Sequence, residues 1–213
     1  MNRSKGRSSS PRHGRGSHSQ LHTRKKRYLV VCGGEKTERQ YFEFCEAEFN
    51  VVIDFRPGKK SPSQLADYAV TLKEKAEKDR ESVDSYSAVW VVVDVDNYHD
   101  HKQAEKTCKD HGISLIISNP CFEVWLIDHH NQCPPSCTRT KDAENRAAKL
   151  GLTSGRNHKD IVRPAIKGQT DTAIIHANRH NIKRRERQLL TPNREQAYAP
   201  WTDMPQVIKR LKG

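Results

Sequence analysis

No stretch of this 213-residue chain stays apolar for more than six residues. The longest, Ala88–Val93, is far short of the roughly 20 residues that a membrane-spanning helix needs. Apolar residues are 34% of the total and mean hydropathy is −0.91, so the core must come from a few short segments. The first 27 residues lack acid altogether, yet they hold nine cations: Arg3, Lys5, Arg7, Arg12, Arg15, Arg24, Lys25, Lys26 and Arg27. With these set aside, only +3 of the formal +12 charge belongs to the rest of the chain. Residues 1–26 also lack an apolar run, which argues against a secretory signal and predicts a disordered basic arm. Such an arm either binds nucleic acid phosphates by counterion release or only keeps a protein soluble. The expected setting is the cytoplasm, with no membrane contact.

Two nucleotide-binding motifs are absent as well. Gly33 and Gly34 follow the apolar run Tyr28–Cys32, but the Gly-x4-Gly-Lys-Ser/Thr spacing of a P-loop is missing. There is no third spaced glycine for a dinucleotide fingerprint. The six cysteines, at 32, 45, 108, 121, 133 and 137, form no compact framework and read as reduced thiols. His129, His130, Cys133 and Cys137 have the residue types of a zinc site. Their Cys-x3-Cys spacing holds two prolines and no second half-site, so zinc is disfavoured and a stiffened loop after a helix is the simpler reading.

What is present is an alternation of strand and helix patterns. Tyr28–Cys32 reads as a buried strand. Thr37 to Phe49 places Tyr41, Phe42, Cys45 and Phe49 on one helical face. "NVVIDF" is a second strand. Ser61 as N-cap, Pro62 in the first turn and Gln64 in the capping-box position then open a helix. Its buried stripe is Leu65, Ala69, Leu72 and Ala76. "SAVWVVVDVDN" suits a central strand buried on both faces. A polar helix from His101 to His111, the strand "ISLIIS" and a helix in "NPCFEVWLIDHH" follow. The expectation is an α/β fold over residues 27–130, with a largely parallel four-stranded sheet flanked by helices. Residues 131–213 should form a mostly helical extension packed on it, closing with Val207, Ile208 and Leu211 turned inward.

Functional residues in such folds gather beyond the carboxyl ends of the strands. Asp94 and Asp96 stand two apart at the end of the most apolar strand, so extended backbone points both to one face. Paired carboxylates repel unless a cation lies between them, and hard oxygen ligands suit Mg²⁺ or Mn²⁺. Glu35 and Glu38, three apart after the first strand, share a face if both are helical. They either complement a helix N-terminus or complete a metal site with Asp94 and Asp96. Glu123, in the first turn after Asn119-Pro120, is either a further ligand or a favourable helix-terminal charge. Phe122, Trp125 and Leu126 read as core. In the last third, Lys183, Arg184, Arg185 and Arg187 form a basic run, either a solvated helix face or a phosphate-contacting surface. The nucleic-acid contacts expected are this run, Lys36, and Arg24, Lys25, Lys26 and Arg27 of the arm.

"VVCGGEKTERQYF", "VWVVVDVDN" and "ISNPCFEVWLIDHH", in this order and spacing, resemble the RloB family, prokaryotic proteins found with restriction and phage-defence loci. The resemblance is strongest over residues 27–130. It implies a Toprim-like fold, with a glutamate after the first strand and Asp-x-Asp after the third around Mg²⁺. It further implies a metal-dependent nuclease, with RNA or tRNA among the substrates, and an ATPase partner. The residues it singles out as catalytic are Glu35, Glu38, Asp94 and Asp96. The family pattern is Cys-Glu-Gly-Glu-Lys-Thr-Glu, and Gly33 stands where its first glutamate falls. Either Glu35 or Glu38 supplies the missing ligand, or the site binds metal weakly, or this member has lost hydrolysis and is an inactive binding or sensor subunit.

Overall fold

A computed structural model describes residues 24–79, 85–95, 98–190 and 195–213. The predicted disordered arm therefore lies outside the described residues except for Arg24, Lys25 and Lys26, which are exposed. Asp96 also lies outside them.

The first half alternates as the sequence patterns predict: β1 (Arg27–Cys32), α1 (Thr37–Phe49), β2 (Val52–Pro57), α2 (Pro62–Lys78), β3 (Ala88–Asp94), α3 (His101–Asp110), β4 (Ser114–Asn119) and α4 (Glu123–Asp128). Then come α5 (Thr140–Lys149), the two-residue strands β5 (Thr153–Ser154) and β6 (Asp160–Ile161), α6 (Arg163–Ile166) and α7 (Thr170–Leu190). A 3₁₀ turn at Glu195–Tyr198, β7 (Trp201–Thr202) and α8 (Met204–Lys212) close the chain.

The main sheet has five strands rather than the expected four, in the order β2-β1-β3-β4-β7. The first four are parallel and β7 is antiparallel to β4. β7 comes from the C-terminal third and covers the β4 edge, a row of backbone groups otherwise open to another chain. Its neighbour Asp203 reinforces the seam: its backbone N–H donates to the Ile117 carbonyl at 2.9 Å, and its carboxylate accepts from the Ile117 N–H at 3.1 Å. β5 and β6 form a separate two-stranded antiparallel hairpin.

Strand alternation sorts the core into two layers. Tyr28, Val30, Cys32, Trp90, Val92 and Ile116 pack with the buried faces of α1, α4, α5, α7 and α8. Leu29, Val31, Val89, Val91 and Val93 pack with α2 and α3. Tyr28 and Trp90, on neighbouring strands, stack at 5.0 Å between ring centroids. Asp94 continues the Trp90–Val92 alternation and so belongs to the α1 side. Helix α2 starts as its sequence signals: the Gln64 side chain accepts from the Ser61 N–H at 3.2 Å. Asp100, from the loop before α3, adds a tertiary cap, accepting from the Ser61 hydroxyl at 2.6 Å and the Ser63 N–H at 3.0 Å.

Candidate functional site

Strand order reverses direction between β1 and β3, and there the chain leaves in opposite senses to α1 and α3. That is the switch point at which open α/β sheets form their crevice. A cavity of about 510 Å³ opens there, lined by Gly33 to Glu38, by Lys59, Lys60, Pro62 and Leu65, and by Val93, Asp94, Tyr98 and Lys159.

The turn after β1 is built from close backbone approaches. The Gly33 N–H donates to the Val92 carbonyl at 3.1 Å, and the Gly34 N–H points to the Cys32 sulfur at 3.4 Å. Gly33 has open space: an added Cβ would meet only Leu65, at an ordinary 3.6 Å. Gly34 does not, because a Cβ there would land on the Glu38 carboxylate. A side chain at position 34 would therefore displace the Glu38 carboxylate.

Helix α1 begins at Thr37, so Glu35 precedes the helix and does not share a face with Glu38, contrary to the helical reading of the pair. Glu35 is exposed and pairs with Lys59 at 3.5 Å. Glu38, in the first turn, faces inward and is 8% exposed. Burial pushes its carboxyl up to about 7, helped by the nearby charge of Glu123 and opposed by its own backbone N–H and by Lys159. Glu123, at the start of α4, is 1% exposed. Its Oε1 pairs with the Lys159 ammonium at 3.1 Å, and the same ammonium reaches Glu144 on α5 at 2.6 Å. Burial opposes the Lys159 charge, but Glu123 and Glu144 outweigh it and hold the ammonium above its usual range.

Asp94 belongs to the same electrostatic neighbourhood. Burial raises the Cys32 thiol well above its ordinary value, and the charges of Glu38 and Asp94 raise it further. Burial does the same to Cys121, assisted by Glu123 and Asp94. Glu38 and Asp94 line the cavity, and Glu123, buried at the start of α4, is near enough to Glu38 for its charge to raise that carboxyl. The peptide of Asp94 is anchored by buried His101, whose Nε2 donates to its carbonyl at 3.0 Å.

The donors gathered here are all carboxylates, the chemistry that fits Mg²⁺ or Mn²⁺. Burial is the main cause of the raised Glu38 carboxyl, and Lys36, Lys59, Lys60 and Lys159 line the same cavity. Among the described residues, no three His, Cys, Asp or Glu side chains form a ready-made metal-binding group. Asp96 is outside that set.

The cations expected to contact nucleic acid are dispersed. Arg27 is part of the fold: it pairs with Asp54 at 3.5 Å and lies over the Tyr86 ring. Lys36 lines the cavity and pairs with Asp160 at 2.7 Å. Arg184 is a correction. It belongs to the buried stripe of α7 with Ala173, Ala177 and His180, and its Nε donates to the Ala199 carbonyl at 2.8 Å. Lys183, Arg185 and Arg187 are exposed. His129 uses both ring nitrogens inside the core, Nδ1 on the Trp125 carbonyl at 3.0 Å and Nε2 on the Tyr41 hydroxyl at 3.3 Å. Cys133 and Cys137 are buried and His130 is exposed.

Lys159 and His101 escaped the sequence reading. Lys159 sits in the polar stretch "SGRNHKD", which carries no periodicity, and only the docking of the hairpin brings it to the acids. His101 had a usable signal, its place just after the Asp94 strand end.

A crevice lined by carboxylates and lysines at the switch point of a mostly parallel sheet defines the class: an α/β protein with its site at the carboxyl edge. Within that class the chain belongs to the RloB-like protein family, whose model matches residues 28–211. Neither the curated proteins nor the solved structures give a significant match.

Proposed function

We propose that this protein is a metal-dependent, Toprim-like nuclease that cleaves phosphodiester bonds in RNA, tRNA or DNA. The observation that carries this reading is that Glu38 and Asp94 line one cavity at the β1/β3 switch point. The acids follow the first, third and fourth strands, in keeping with the Toprim-like arrangement that the family motifs imply. Asp94 and Glu38 would hold Mg²⁺ or Mn²⁺, with Glu123 and Asp96 as the further carboxylates. The bound ion supplies Lewis-acid polarisation of phosphate oxygens and activation of water. The chain's own part is to fix the acids on rigid elements, with Gly34 giving Glu38 its place and His101 holding the Asp94 peptide. Lys36, Lys59 and Lys60 stand at the rim as contacts for flanking phosphates. A defence role, an ATPase partner and a cytoplasmic setting are expectations from the family motifs. Among the described residues no helix is long and apolar enough to cross a membrane.

The test is cleavage by the purified chain across DNA, total RNA and tRNA with Mg²⁺, Mn²⁺ or EDTA, with and without the neighbouring gene product. Metal-dependent products are expected, and joint Asp94→Asn and Asp96→Asn substitution should abolish them with the fold intact. Activity surviving that double change contradicts the assignment.

A second reading has its own observation: Gly33 occupies the position of the family's first glutamate. A sensor or binding subunit would keep the fold and lose the chemistry. Gly33→Glu separates the two, because the site has room for a side chain at that position. A folded variant that gains Mn²⁺-dependent cleavage, where the parent has none, favours the second reading.

A further inference from the structure

We infer that the cavity seats one unstacked nucleotide of a single strand, with its base against Tyr98 and its phosphates towards Lys59 and Lys60. The inference rests on the nucleic-acid reading above and adds the substrate class and a stacking residue, but it needs no metal ion. Of the large apolar side chains left exposed among the described residues, only Tyr98 lines the cavity, and it is 43% exposed. Tyr28, Tyr41 and Tyr198, by contrast, are buried in the core.

The loop that carries Tyr98 is held in place. Asp100, two residues further on, accepts from the Ser61 hydroxyl and the Ser63 N–H, and His101 binds the Asp94 carbonyl. Ser61 directly follows Lys59 and Lys60. One set of hydrogen bonds therefore ties the loop of the exposed ring to the loop of the two lysines. Pro62, Leu65 and Val93 give the same cavity apolar wall, and beside Gly33 there is open space. The volume of about 510 Å³ is in the range of small-ligand sites.

A nucleobase has apolar faces and hangs from a phosphate chain, so it matches an exposed ring and apolar wall next to lysines. Lys59 and Lys60 are both exposed. The pair of Lys59 with Glu35, at 3.5 Å with both side chains exposed, is worth little in water, so a phosphate can replace the carboxylate. Lys60 is steadied over the Tyr68 ring at 4.8 Å. A base inside a duplex is already stacked and paired, and reaches such a ring only by leaving the helix. The site therefore takes a single strand or an unpaired loop.

The experiment is fluorescence anisotropy with the full chain in EDTA at fixed salt. It compares a short single-stranded oligothymidylate with an abasic oligomer that has the same number of phosphates. Charge contacts, those of the basic arm included, are shared by the two probes, so the difference between them reads the base. The parent should bind the oligothymidylate roughly 5- to 150-fold more tightly, the range for stacking of one base. Tyr98→Ala should erase that preference and Tyr98→Phe should keep it. Lys59→Ala with Lys60→Ala should weaken both probes alike and keep the preference. Tyr98 is exposed, so its replacement leaves the core untouched. Equal affinity of the parent for the two probes, or a preference that survives Tyr98→Ala, overturns the stacking site while leaving the nucleic-acid reading intact. Binding of neither probe overturns both.

Discussion

Gly34 and His129 show how single positions are constrained from different directions. Gly33 and Gly34 look equivalent in the sequence, but only the second has the Glu38 carboxylate where a Cβ would go. Gly34→Ala should therefore displace the Glu38 carboxylate and be the more destabilising of the two alanine variants. Gly33→Ala should be neutral or add up to about 1 kcal/mol by restricting the unfolded chain. Urea unfolding of the two variants checks this, and equal midpoints would contradict the packing of Glu38 on Gly34. His129 is constrained by its hydrogen bonds. As the neutral Nδ1–H tautomer it donates to the Trp125 carbonyl and accepts from Tyr41. Burial pushes its pKa down to about 4. Above the unfolded value near 6.5 both states are neutral and its contribution is complete. As pH falls from about 6.5 to about 4 the unfolded chain takes the proton first, so up to about 3 kcal/mol of stability is lost. The stability gap between the parent and His129→Gln should narrow across that window, and a constant gap would contradict the buried neutral ring.

At the scale of elements, long patterned segments were legible and short ones were not. Helix α1 runs over Thr37–Phe49, as the spacing of its aromatics predicts, and β3 and β4 end where the Asp94 and Asn119 signals place them. β7 is two residues, Trp201 and Thr202, too few to show alternation; its place is set by tertiary contacts, including the Asn181 side chain bonded to the Thr202 backbone. β5 and β6 are equally short. That is why a fifth strand and the lysine-bearing hairpin had no local signature, while Glu38, Asp94 and Glu123 could be read from strand ends. The burial of Arg184 was hidden for a related reason. Its neighbours in sequence are exposed cations, but the i, i+4, i+7, i+11 stripe of α7 carries it inward. Helix α2 offers an element-scale test, since Asp100 caps it from another loop. Asp100→Ala should lower the unfolding free energy by about 1–2 kcal/mol with an unchanged denaturant slope. A change near zero would mean that Gln64 alone suffices to start the helix.

Across the whole molecule, the basic segment that precedes β1 and the cavity lie at opposite ends of the sheet. Arg24, Lys25 and Lys26 enter at the amino end of β1, about 17 Å along the strand from Cys32 at five rises of 3.3 Å. Helix α7 runs in the same direction, from the amino end of β1 towards the carboxyl edge of the sheet. Lys212 pairs with Asp171 at its start, and the following helix α8 meets the amino end of β1 through the Tyr28 hydroxyl on the Arg210 carbonyl. Asn181 is bonded to Thr202, which pairs with Ser118 near the carboxyl end of β4. The exposed Lys183, Arg185 and Arg187 therefore continue past the edge that holds the cavity. These cations share the cleft's edge of the sheet, whereas Arg24, Lys25 and Lys26 lie at the far one. Deleting residues 1–26 removes eight cations and no described core. It should weaken binding and reduce the log–log salt slope by roughly 0.7–0.9 for each phosphate no longer neutralised, with little change in thermal midpoint. An unchanged slope would assign phosphate binding to the α7 end alone.

The most direct measurement of the central claim is an anomalous difference map from crystals soaked in Mn²⁺. The account predicts a peak in the β1/β3 cleft, at about 2.1 Å from an Asp94 carboxylate oxygen and from one of Glu38 or Glu123. A cleft without a peak at Mn²⁺ concentrations that support cleavage, or a peak held by other residues, would contradict it.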